Sequence, residues 1–164
     1  MRVRRLVLVV GVLSLAAGCG YRFRAPASDL PAGLPSVHVP VFSNTTSEPG
    51  AEAFFTQALR EQYLRAGRLG NDGAPGRIEG TLLAVSSAPL VASPGRLPNY
   101  RFQATVRLVL FKEGVAVNTV QVAGGEDYPA GADVLSSETN RGAALRRLAE
   151  SLMREGAERL ATGW

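Results

Sequence analysis

From Tyr100 to Leu110 the chain alternates without a break. Tyr100, Phe102, Ala104, Val106, Leu108 and Leu110 are apolar, and Arg101, Gln103, Thr105 and Arg107 stand between them. A period of two is the mark of a β-strand with one dry and one wet face. The dry face of such a strand demands a second layer, and the wet face stays open to water or to a partner. Glu113-Gly114 follows as a hairpin turn, which makes the next run, Val115 to Ala123, the antiparallel neighbour.

The rest of the chain supplies more sheet and the cover. Val37, Val39 and Val41 alternate with His38, Pro40 and Phe42, a strand in which Pro40 lacks a ladder donor and points to an edge or a bulge. Residues 43–47 read as a polar turn, and Ser47-Glu48-Pro49 as a helix start with a hydroxyl cap. Ala51, Phe55, Ala58, Leu59, Gln62 and Ala66 then share one helix side, with Glu52, Thr56, Arg60 and Arg65 turned away and Gly67 as the stop. Arg77 to Ser87 reads as a strand apolar on both faces, and residues 88–99 as a polar loop with three prolines. Leu145, Leu148, Leu152 and Gly156 make one stripe of a helix from about Ser137 to Leu160. The expected fold is α+β, a two-layer sandwich of order β-α-β-β-β-α, with both helices on one face of a four-stranded mixed sheet. Its expected core includes Phe55, Leu59, Phe102, Val106, Leu108, Leu145, Leu148 and Leu152.

Ahead of this domain, Met1 to Arg5 is basic and Leu6 to Ala17 is an apolar run of twelve residues, short of the roughly 20 that a transmembrane helix needs. The run ends at Leu15-Ala16-Ala17-Gly18-Cys19, the pattern of a bacterial lipoprotein processing site, although the bulky residue stands four rather than three before the cysteine. Residues 1–18 therefore read as a signal peptide, 19–35 as a lipidated N-terminus and tether, and 36–164 as a single α+β domain. Cys19 is the expected lipidation site, its sulfur being the nucleophile that takes the diacylglyceryl group. The alternative is an export signal with an incidental cysteine. Gly20 stands where an aspartate would favour retention in the inner membrane, so the expected destination is the outer membrane. Three acyl chains, at about 0.8 kcal/mol per buried CH₂, form a stable anchor.

Charge and cysteine count exclude several functions. Of the 18 basic side chains, Arg2, Arg4 and Arg5 lie in the leader and no acid does, so the remaining chain is nearly neutral and lacks the cation cluster that binds nucleic acid. One cysteine and one histidine are too few for an intrachain disulfide or a thiolate or imidazole zinc site, and neither a metal nor a cofactor is expected. No enzyme activity is expected either. His38 lies between two valines with no Gly-x-Ser-x-Gly elbow in the chain, and reads as structural or surface. Glu126 and Asp127 are adjacent, point to opposite faces of an extended chain and read as loop charge. Gly124-Gly125 lacks the lysine of a phosphate-binding loop. Asn44-Thr45-Thr46 reads as a cap and turn.

The arginines remain. Arg77, Arg101 and Arg107 lie opposite the large apolar residues of their strands, and Arg96 lies in the loop between those strands. Guanidinium forks grip phosphates with two parallel hydrogen bonds, which suits a phosphorylated glycolipid. The same residues would equally solvate the open face of a sheet, or pair with acids on a partner protein.

Taken in order, Cys19-Gly20-Tyr21-Arg22-Phe23, residues 37–42 with Asn44-Thr45-Thr46 and Glu48-Pro49-Gly50, the strand from Tyr100 to Leu110, Glu126-Asp127-Tyr128-Pro129, and Asn140-Arg141 with Ala143-Ala144-Leu145 resemble the LptE family of lipopolysaccharide-assembly lipoproteins. The resemblance covers nearly the whole chain after the leader. It implies a non-enzymatic outer-membrane lipoprotein that plugs the LptD-type outer-membrane β-barrel, helps to assemble it and binds lipopolysaccharide, facing the periplasm and the barrel lumen. It also implies a basic lipopolysaccharide contact in the loop between the second and third strands, where Arg96 is similar in kind but offset in the turn. A second contact is implied near the start of the last helix, where Arg141 is the candidate. The competing reading is a periplasm-facing lipoprotein adaptor that binds a soluble envelope protein. A lipoprotein hydrolase would need a polar cleft around His38.

Overall fold

The computed structural model describes residue 30, residues 33–90 and residues 97–162. The leader, Cys19 and Arg96 lie outside the described residues. The elements in chain order are β1 (Val37–His38), β2 (Ser43–Asn44), α1 (Ala51–Arg65), β3 (Gly76–Pro89), β4 (Asn99–Lys112), β5 (Val115–Pro129) and α2 (Val134–Thr162). The β-α-β-β-β-α order holds. The first strand, however, is two short pieces, β1 and β2, each pairing parallel with β3 on the same edge. The sheet therefore has five strands by count and four by position, β1 and β2 on one side, then β3, β4 and β5. Pro40 lies in the interruption, as a residue without an N–H requires.

β3, β4 and β5 form a long antiparallel meander. Glu113 and Gly114 both take positive φ, 51° and 80°, the two-residue turn whose twist matches that of the strands it joins. The dry side of β4 is almost fully enclosed, with Phe102, Val106, Leu108 and Leu110 at 0% exposure. α2 lies across this face over β4 and β5, where a Cβ on Gly156 would come within 2.6 Å of Leu108 Cδ1. α1 packs beside α2 and over the β2–β3 edge. All eight residues expected in the core are buried, and Leu30 and Leu34 join the same cluster.

Several local expectations are corrected. β3 is buried on one face only, through Ile78, Gly80, Leu82 and Val85, with a register shift between Leu82 and Ala84. Leu83 is the extra residue of that bulge, which explains why the run reads as apolar on both sides. β5 continues past Ala123 to Pro129, so Glu126 and Asp127 lie on a strand rather than in a loop. Its glycines answer to packing: a Cβ on Gly124 would approach Leu152 Cδ2 at 3.1 Å, and one on Gly125 would meet the Phe102 carbonyl oxygen at 2.8 Å. α1 begins at Ala51, after Gly50 with φ 83°, without a side-chain cap from Ser47. It ends as expected. Gly67 has φ 65°, its N–H donates to Leu64 O at 2.9 Å, and the Arg68 N–H donates to Tyr63 O at 2.8 Å, which completes a Schellman motif. Thr56, expected to face away, is 3% exposed; its hydroxyl donates to Glu52 O and accepts from the Phe42 N–H at 3.0 Å, tying α1 to the segment before β2.

Leu152 is 3% exposed and Leu148 is 2% exposed. Truncating either to alanine should cost about 2–5 kcal/mol, read as a lowered urea midpoint at unchanged m-value. Gly80→Ala should also destabilise, because its Cβ would stand 2.4 Å from the Phe42 ring. Unmoved midpoints would show that neither layer docks as described.

Candidate functional site

At one end of the sandwich, pieces of sequence that are far apart in the chain meet. The chain leaves β2 through an Asn44 turn. Asn44 Oδ1 accepts from the Thr46 N–H at 2.9 Å and from the Thr46 hydroxyl at 2.7 Å, while Nδ2 donates to Glu48 O at 2.8 Å and to Glu52 Oε2 at 2.6 Å. The hydrogen bond from Asn44 holds the Glu52 carboxyl below its ordinary range. Asn44 thus organises the turn ahead of α1, while α1 itself starts after Gly50 without a side-chain cap. This turn points Glu48 at α2, where its carboxylate accepts from Arg141. The Arg141 guanidinium also lies 3.5 Å from Glu138 Oε2 and 5.5 Å from the centroid of the Phe102 ring.

Phe102 carries the contact onward into the sheet. Its ring stacks on Tyr128 at 5.1 Å, and Tyr128 stacks on Tyr100 at 5.5 Å. The Tyr128 and Ser87 hydroxyls share a hydrogen bond of 2.7 Å. Asn140 Nδ2 donates to Pro129 O at 3.2 Å, and Arg147 Nε donates to Glu126 Oε1 at 2.6 Å, so α2 is fastened to the last turn of β5 at two further points. α2 itself starts on Asp133, whose Oδ1 accepts from the Ser136 N–H at 2.7 Å while the Ser136 hydroxyl accepts from the Asp133 N–H at 3.1 Å. That capping hydrogen bond from Ser136 lowers the Asp133 pKa.

The expected site residues are placed differently from one another. Arg101 is on the open face, where Nε and Nη2 grip the two Asp127 oxygens at 2.5 and 2.8 Å. The hydrogen bond raises the Arg101 pKa and lowers that of Asp127, although both side chains are about half exposed. Arg77 pairs with Glu79 at 2.9 Å on the same face. Arg107 is exposed on that face, beside Thr81 and Gln121 in register, and forms no hydrogen bond or ion pair among the described residues. Arg141 belongs to the other face, under the helix layer; burial would lower its pKa, and the hydrogen bond and charge of Glu48 more than offset this, so it is raised. Arg101 and Arg141 therefore flank the sheet from opposite sides and do not converge. Next to Arg101, Ser86, Gln103, Thr105, Ala123 and Gly125 line a shallow depression of about 550 Å³ on the open face. Small and neutral outward residues create it, a signal present in the sequence as the Ala123-Gly124-Gly125 run. Among the described residues, no group of three His, Cys, Asp or Glu side chains could hold a metal, and no helix is long and apolar enough to cross a membrane.

Arg141→Ala should lower stability by about 1–3 kcal/mol, because Glu48 is only 20% exposed and would lose its charged donor. Glu48→Gln in the Arg141→Ala background should then add little. Equal and additive losses for the two changes, measured by denaturant titration, would show that the pair is not coupled.

The family model of LptE, described as lipopolysaccharide-assembly, matches residues 34–160. No curated protein matches the sequence. Among solved structures, a Caulobacter crescentus CB15 protein described as a lipoprotein is similar with a TM-score of 0.55 at 12% identity, over 74% of this chain and 89% of that one. A hypothetical protein of Chlamydia trachomatis gives a TM-score of 0.51 at 11% identity, over 79% of this chain and 97% of that one. The rare lipoprotein B of Shewanella oneidensis gives 0.48 at 16% identity, over 74% and 90%. At these identities the first two speak for the fold alone. The family model spans almost all of the packed domain, and on that match the chain belongs to the LptE family of lipopolysaccharide-assembly proteins.

Proposed function

We propose that this protein is an outer-membrane lipoprotein, anchored through Cys19, that plugs and helps to assemble the LptD-type β-barrel, and that it binds lipopolysaccharide on the open face of its sheet. The family match over residues 34–160 carries this reading. The surface suits it. A barrel lumen is polar, and the surface of this domain carries the charge pairs Arg77–Glu79, Arg101–Asp127, Arg147–Glu126 and Arg159–Glu155 around one apolar core. Its role is positioning and stabilisation, without a bond-breaking step.

For the glycolipid, phosphates would be met by Arg107, whose fork is unengaged among the described residues, and by Arg96 of the β3–β4 connection. Arg101 would join by exchanging Asp127 for phosphate, since a half-exposed pair contributes little to stability and is cheaply broken. Arg141 serves chiefly to hold the Glu48 turn against Phe102. The second reading, an adaptor for a soluble envelope protein, draws on the same exposed charges.

Affinity capture from detergent-extracted native membranes separates the two: a large β-barrel in near-equal amount is expected, whereas recovery of a soluble protein alone would favour the adaptor. Arg96→Ala and Arg107→Ala should each weaken binding of purified lipopolysaccharide by about ten- to a hundred-fold while leaving the fold intact. Added salt should weaken binding further. Unchanged affinity in both variants would remove the open face as the site.

Cys19 should carry acyl chains. Mass spectrometry of the native N-terminal peptide should show a diacylglyceryl thioether, and a peptide without any acyl mass would overturn the anchor.

A further inference from the structure

The two edges of the sheet are treated differently. On the first edge, β1 and β2 are two residues each, Pro40 interrupts them, and α1 is tied alongside by the Thr56 hydroxyl and by Arg60 Nε donating to Val39 O at 2.8 Å. The second edge is β5, fifteen residues long and last in the sheet order, with no strand beyond it among the described residues. From Val115 to Gly125 it contains no charged residue and no proline. Long, neutral edges without lysine, proline or a covering element pair readily with other strands, and stable proteins avoid leaving them bare.

The backbone parity shows which groups are free. The Ala130 N–H donates to Pro98 O at 2.8 Å, and these residues follow the register Asn99↔Pro129. Hydrogen-bonded pairs alternate in an antiparallel ladder, so the even residues 120–128 of β5 bond to β4, and Thr119, Gln121, Ala123, Gly125 and Asp127 turn their N–H and C=O outward. The Gln121 carbonyl points the same way and is the one outward group already engaged among the described residues, since it accepts from Arg159 Nη1 of α2 at 3.1 Å, an exposed contact that an incoming strand would displace. That contact also brings α2 to the rim of the sheet.

We propose that the outer edge of β5, from Thr119 to Asp127, is a docking site for an extended polypeptide segment of the barrel partner, which adds to the sheet as a further strand. The occupant is uncharged where it faces residues 119–125, and main-chain hydrogen bonds supply most of its recognition. Pro129 ends the site, because it has no N–H to offer. The inference rests on the barrel-plug reading above and gives it a contact surface.

Hydrogen–deuterium exchange of the full lipoprotein, alone and in its purified complex with the barrel, tests the proposal without altering the protein. The amides of Thr119, Gln121, Ala123 and Gly125 should exchange at least about tenfold more slowly in the complex. Gln121→Pro removes an outward N–H that the β4–β5 ladder does not use, and it should reduce the recovered barrel while the Tm of the isolated variant stays near that of the unaltered protein. Should the variant fold poorly, the exchange rates of the unaltered complex decide. If the barrel co-purifies and these amides exchange at the same rate in both states, edge pairing is overturned and the plug reading stands. If no barrel co-purifies, the plug reading itself falls, and this contact with it.

Discussion

β4 is hydrogen-bonded along both edges, and from Phe102 to Leu110 every second side chain is enclosed at 3% exposure or less. An apolar strip of that length leaves one arrangement open to the rest of the chain. Strands must extend it sideways, and helices must cover it from one side only, because the alternate residues are polar. α2 meets the demand over β4 and β5, with Gly156 small enough to let the helix approach Leu108, and α1 fills the remaining width beside it. Gly80 and Phe42 show the same close fit at the other side, with no space for a Cβ between them.

One end of this strip is closed by polar and aromatic contacts instead of aliphatic packing. Phe102 is the joint: Tyr128 stacks on it from β5 and the Arg141 guanidinium covers it from α2. Arg141 in turn holds Glu48, and the Asn44 turn holds the backbone of Glu48. Four segments of the chain are thus fixed to one another by directional bonds, next to the β3–β4 connection.

Function follows from which surfaces this construction leaves unused. The open face of the sheet carries charge pairs and a shallow polar depression, and the β5 edge carries main-chain groups without a strand partner among the described residues. The proposed barrel-plug role would call for both kinds of surface, one wet and adaptable and one that fixes orientation. Membership of the LptE family and these two surfaces are compatible with a single role in lipopolysaccharide assembly.

The local pattern of the sequence determined the elements and the core. Period-two alternation located β4, the Glu113-Gly114 pair located the hairpin, and Gly67 located the end of α1, because each depends on residues adjacent in the chain. Gly124-Gly125 and Leu83 misled for the same reason. A glycine demanded by a close helix and the extra residue of a bulge look, locally, like the end of a strand and a two-sided strand. Tertiary structure alone decided the charge partners: Arg101 with Asp127, Arg141 with Glu48 and Arg147 with Glu126 are 21 to 93 residues apart, and exposed arginines carry no local mark of which acid will face them. It also decided that Arg101 and Arg141 stand on opposite faces of the sheet. Residue type determines that a guanidinium can bind phosphate, but only tertiary pairing, Asp127 with Arg101 across the β4–β5 register and Glu48 with Arg141 beneath α2, determines which guanidinium is already engaged.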